Sequence, residues 1–149
     1  MFTDLKEITT KTAEETRNLG KKMASNCKGG EVICLRGDLG AGKTTFSQGF
    51  LRELGAEGAL TSPTFVVMKQ YAIKKNALNL KSIYHIDTYR VESEDILDLG
   101  WKEIIKDKQN IVLVEWPEKI KDIIPLNAVW LEFEIIDEEK RKIKLVSHD

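Results

Sequence analysis

Nine consecutive residues constrain this chain more than all the others: Gly37-Asp38-Leu39-Gly40-Ala41-Gly42-Lys43-Thr44-Thr45. Gly37 through Thr44 reads G-x-x-x-x-G-K-[ST], the pattern of a loop that wraps phosphate groups. Such a loop must point several backbone N–H groups inward, which needs tight and partly left-handed dihedrals that glycine adopts without a Cβ penalty. It also needs a strand before it and a helix after it, because the helix start adds unpaired N–H groups and the positive end of a dipole. Both are legible here. Val32 to Leu35 is a short apolar run of the kind buried on both faces of a parallel sheet. Phe46, Phe50, Leu51 and Leu54 follow the loop at helical spacing, and Gly55 is a stop signal. Lys43 is suited to the β- and γ-phosphates as a mobile point charge. The Thr44 hydroxyl is suited to Mg²⁺, which prefers hard oxygen ligands. The expected nucleotide contacts are therefore Asp38, Gly40, Ala41, Gly42, Lys43, Thr44 and Thr45.

The flanking sequence predicts an α/β fold. Thr12 with Glu15 three residues on is a capping box, and Thr16, Leu19, Met23 and Cys27 continue as one buried helical stripe. Phe65 to Ile73 reads as a β-rich run, 76–79 as a hairpin loop and Leu80 to Ile86 as the return strand. Ser93, followed by Glu94 and Asp95, is expected to start a helix that Gly100 ends. Ile111 to Val114 is a second fully apolar strand. Val129 to Ile136 and Arg141 to Ser147 form a last hairpin around 137–140, with Ile143 and Leu145 alternating with Lys142 and Lys144. The expected architecture is a three-layer P-loop NTPase-like sandwich, in which a largely parallel central sheet carries antiparallel strands at its edges. At 149 residues the chain is expected to form a single domain.

A phosphate site of this type usually needs a carboxylate at the tip of a neighbouring strand. Asp87 follows Ile83-Tyr84-His85-Ile86, and Glu115 follows Ile111-Val112-Leu113-Val114. The more apolar second strand makes Glu115 the better candidate for the metal, together with Thr44. Asp87 sits in the polar and aromatic cluster His85-Ile86-Asp87-Thr88-Tyr89-Arg90, where a salt bridge to Arg90 is its plain structural alternative. Thr64 lies in a loop that either senses a γ-phosphate, as switch loops do, or is only the rigid turn set by Ser62-Pro63. Trp116 either stacks on a base or anchors the strand end.

Composition excludes other classes. Lys and Arg number 23 against 24 Asp and Glu, a net charge of −1, so bulk charge gives no reason to expect direct nucleic-acid binding. No apolar run has the roughly 18 residues of a membrane span, and the start MFTDLKEITT lacks the apolar core of a signal peptide. Two cysteines, Cys27 and Cys34, and two histidines are too few for a zinc cluster, and reduced thiols in the cytoplasm are expected.

GDLGAGKTT, TSPTF, YHIDTYR and LVEWPE occur in this order and at close to the expected spacing. The chain thereby resembles the TsaE (YjeE) family, the small ATPase subunit of the bacterial threonylcarbamoyladenosine tRNA-modification machinery, from about Thr12 to Pro125. The resemblance implies ATP and Mg²⁺ as ligands, with Lys43 and Thr44 as the loop's lysine and metal-binding threonine. It implies that Glu115 helps bind Mg²⁺, that Asp87 is needed for ATP turnover, and that Thr64 lies in a switch-like loop. It also implies two partners, TsaD and TsaB. TsaD transfers the threonylcarbamoyl group to adenosine 37 of tRNA, and the ATPase resets the pair between turnovers, meeting tRNA only through the complex. No arginine finger is evident in cis, Arg90 being the nearest candidate, so isolated turnover is expected to be slow. The chief alternative is a P-loop kinase acting on a nucleoside or other small molecule. It is disfavoured because the five arginines, Arg17, Arg36, Arg52, Arg90 and Arg141, form no lid-like cluster in the sequence. A regulatory GTPase would want D-x-x-G and N/T-K-x-D, and neither string is present.

Overall fold

The structure, a computed structural model, describes residues 6–58, 60, 66–74 and 79–146. Its elements in chain order are β1 (Glu7–Thr10), α1 (Ala13–Ser25), β2 (Val32–Gly37), α2 (Lys43–Glu53), β3 (Met68–Ala72), β4 (Ser82–Asp87), α3 (Ser93–Asp98), α4 (Trp101–Lys106), β5 (Asn110–Glu115), a 3-10 segment (Pro117–Ile123), β6 (Val129–Ile135) and β7 (Arg141–Val146). The strands form one sheet in the order β1-β7-β6-β2-β5-β4-β3. Strands β6, β2, β5 and β4 are mutually parallel, whereas β7 and β1 on one side and β3 on the other pair antiparallel. The α/β expectation therefore holds, including its antiparallel edges.

Alternation along the central strands divides the core in two. Ile33 and Leu35 of β2, with Ile111 and Leu113 of β5, face one side and meet Leu19, Met23, Phe46 and Phe50 of α1 and α2. Val32, Cys34, Val112 and Val114 face the other side and meet Ile96, Trp101, Ile104 and Ile120 of α3, α4 and the 3-10 segment. All six residues of β5 are buried, as a strand between two helical layers requires. The helix at Thr12 forms as its capping signal predicts. Thr12 Oγ1 accepts from Glu15 N at 3.1 Å, and the Glu15 carboxylate accepts from Lys11 N at 3.1 Å. Both cysteines are free and buried, and burial pushes their thiol pKa values well up.

Several elements depart from the sequence reading. Gly100 ends α3 as expected, but a second helix, which the sequence reading lacks, starts from it. Its φ of 91° makes the corner from which α4 starts. Helix α3 starts at Ser93 as expected, but its cap is Glu92, and Asp95 reaches back to the Glu92 N–H at 2.9 Å. The 3-10 segment after Pro117 and the edge strand β1 have no counterpart in the sequence reading. The expected switch loop at Thr64 and most of the expected hairpin loop at 76–79 lie outside the described residues.

Candidate functional site

The C-terminal tips of β2, β4 and β5 come together at the point where the chain turns from β2 into α2. Parallel α/β sheets bind ligands at this edge, outside the carboxyl ends of the strands. A cavity of about 600 Å³ opens there, lined by the loop residues Gly40, Gly42, Lys43, Thr44 and Thr45 and by the strand-tip acids Asp87 and Glu115. Its other walls include Tyr89, Arg90 and Trp116, together with Glu138, Glu139 and Arg141 from the β6–β7 hairpin.

The loop has the backbone the sequence demands. Gly40 and Gly42 lie at φ 80° and 104°, in the left-handed region. A Cβ on Gly37 would come within 2.6 Å of the Phe133 carbonyl of β6, so only glycine lets β2 and β6 close at that point. Gly42 caps α2 without any side-chain hydrogen bond, and the first turn of α2 carries no acid. The amides at the helix start are thus left for an external anion. Not every predicted contact faces the cavity. Asp38 and Ala41 do not line it. The Ala41 N–H is used up inside the loop, donating to Asp38 O at 3.0 Å, and the Ala41 side chain is buried in the core.

Lys43 is the first residue of α2 and is only 4% exposed. Its ammonium donates to Gly37 O at 2.6 Å and lies 3.6 Å from the centre of the Trp116 ring. Burial holds its pKa below the usual lysine value, opposed by the carboxylates of Glu115, Glu118, Asp87 and Asp38. Trp116 takes φ 61°, costly for a residue with a Cβ by about 1–2 kcal/mol. Thr88 helps hold it there, its hydroxyl donating to the carbonyl oxygens of Glu115 and Trp116. The Tyr89 ring packs on Trp116 at 4.9 Å. Trp116 is thus both anchor and cavity wall.

The two acids are neighbours: Asp87 and Glu115 are register partners on parallel β4 and β5, and both are buried. Asp87 Oδ1 accepts from Tyr89 N at 2.9 Å. Glu115 Oε2 meets His85 Nε2 at 2.7 Å. Among the described residues no three His, Cys, Asp or Glu side chains form a cage for a metal. A cation held by Thr44 and a strand-tip acid would take its other ligands from phosphate and water, as magnesium commonly does. Cavity size, open helix amides, a lysine and paired acids fit a magnesium nucleotide.

Two contributors were missed in the sequence. Arg141 Nη2 donates to Gly40 O at 3.1 Å, tying the last hairpin to the loop, and Arg141 joins Arg90 at the cavity. A separation of 101 residues leaves no local signal for that contact. His85 was visible only as part of a polar cluster.

An open α/β sheet with a glycine loop and a helix start at its switch point defines the class: a P-loop α/β domain. A family profile, threonylcarbamoyl adenosine biosynthesis protein TsaE, matches residues 10–143. The tRNA threonylcarbamoyladenosine biosynthesis protein TsaE of Aquifex aeolicus is 41% identical over 143 residues, covering 95% of this chain and 96% of that protein. The Bacillus subtilis protein of the same name is 37% identical over 134 residues, covering 90% and 80%. The crystal structure of Bacillus subtilis YdiB superimposes with a TM-score of 0.77 at 31% identity, covering 96% of this chain and 85% of that one. The chain belongs to the TsaE family, whose role is in tRNA threonylcarbamoyladenosine biosynthesis.

Proposed function

We propose that the chain is a magnesium-dependent ATPase of low intrinsic activity that acts on a TsaB–TsaD pair in the cytoplasm and meets tRNA only through that complex. The observation that carries this reading is the convergence on one cavity of the glycine loop, Lys43, Thr44, Asp87 and Glu115. The amides at the start of α2 and the Lys43 ammonium bind the phosphates. The Thr44 hydroxyl and the Glu115 carboxylate supply oxygen ligands to Mg²⁺. When bound, that ion neutralises charge on the phosphoryl oxygens. Asp87 orients the attacking water, and Thr64 responds to the γ-phosphate. Arg90 and Arg141 add positive charge at the cavity wall without the clustered lid of a small-molecule kinase. Release of phosphate then changes affinity for the partner proteins.

The test is retention of the purified chain on an immobilised TsaB–TsaD pair with ATP, with ADP and with neither, alongside phosphate release. Nucleotide-dependent retention and slow, Mg²⁺-dependent release are expected. Equal retention in all three conditions, or no release of phosphate, contradicts the reading.

A further inference from the structure

His85 is fully buried, does not line the cavity, and lies one step deeper along β4 than Asp87. The parallel register sets His85 opposite Leu113 and Asp87 opposite Glu115. His85 therefore shares a sheet face with both acids and reaches diagonally to Glu115, with its Nε2 2.7 Å from Oε2. Nothing about the fold alone asks for an imidazole there. The same face of β4 and β5 is otherwise built from Ile83, Ile111 and Leu113. The ring's other nitrogen, Nδ1, has no hydrogen-bond partner among the described residues. A buried ring nitrogen with no partner is a cost that packing alone does not explain. Asp87 gains its orientation locally, from the Tyr89 N–H, whereas Glu115 has an extra methylene to immobilise.

We propose that His85 is a positioning residue, whose Nε2–H holds Glu115 Oε2 from the core side and so fixes the carboxylate that faces the metal. The proposal rests on the reading of Glu115 as a magnesium ligand and assigns it a support of the kind that orients ligands at metal sites. Because an ionised carboxylate only accepts, a hydrogen bond between these two atoms requires an N–H on Nε2.

The test uses the full chain with ADP and Mn²⁺ as the paramagnetic probe, and reads bound Mn²⁺ directly by electron paramagnetic resonance. His85→Leu removes the donor, and His85→Gln keeps an N–H near the Nε2 position. Mn²⁺ binding should weaken at least about tenfold in His85→Leu and stay within about threefold of wild type in His85→Gln, with ADP affinity in EDTA unchanged in both. Wild-type Mn²⁺ affinity in His85→Leu, or equal loss in both variants, overturns the proposal while leaving the Glu115 reading standing. If the wild type binds no Mn²⁺ beside ADP, the metal reading fails and the proposal with it. The ¹⁵N shifts of the His85 ring in the wild type give a check independent of any variant's folding. A proton on Nε2 and none on Nδ1 supports the proposal, and the reverse tautomer overturns it.

Discussion

At the scale of single residues, Lys43 carries opposing demands. Its ammonium is buried beneath Trp116, and burial lowers its pKa from 10.5. The folded state therefore sheds that proton at a lower pH than the unfolded chain does. The cost of burying the charge is fully present below the folded pKa and vanishes as pH rises towards 10.5. Lys43→Met should abolish MgATP binding yet match wild-type stability at neutral pH. Urea titrations should then show wild type gaining on the variant as pH is raised towards 10. A destabilised variant at pH 7 would mean that the contacts to Gly37 and Trp116 outweigh desolvation. Glu115→Gln should shift the magnesium titration of ATP turnover to higher concentration, and an unshifted curve would move the metal role to Asp87. The loop, Lys43, Thr44 and the two acids were legible in sequence because each is tied to a local pattern, a strand tip or a glycine turn. Arg141 and the His85–Glu115 pair were not, because sheet register decides those contacts.

At the scale of elements, α1 and α2 touch through backbone. A Cβ on Gly49 would lie 1.9 Å from Arg17 O, and one on Gly20 would lie 2.1 Å from Phe46 O. Alanine is the better helix former by about 1 kcal/mol. Overpacking of this severity costs about 3 kcal/mol or more. Gly49→Ala should therefore lower the thermal midpoint despite its higher helix propensity, and an unchanged midpoint would contradict the close approach. The β6–β7 hairpin brings Arg141 to the loop, and Arg141→Ala should weaken ATP binding by about tenfold, or 1.4 kcal/mol, as read by nucleotide titration. The hairpin turn is held by Asp137, whose carboxyl accepts from Lys140 and Glu139 and is kept below the ordinary 3.8. That contribution is present above 3.8 and is lost as pH falls through the lower folded value, which the amide signals of Glu139 and Lys140 should report. The buried strands and capped α1 were readable from periodicity. The restart at Gly100 was not, because a left-handed corner that restarts a helix carries the same glycine signal as one that stops it. Strand β1 is too short for a periodic signal, and pairing with β7 is what gives it shape.

At the scale of the whole molecule, the sheet order places β2 between β5 and β6, so that the loop after β2 meets Glu115 on one side and the β6–β7 hairpin on the other. Three of the sequence motifs, the glycine loop, YHIDTYR and LVEWPE, thereby contribute residues to a single cavity, and membership of the TsaE family agrees with that arrangement. The direct measurement of the central claim is calorimetric titration of MgATP into the folded chain and into Lys43→Met. Saturable one-site heat with the wild type and none with the variant is the predicted result. Absence of heat with both, or equal heat with both, would contradict a nucleotide held by this loop.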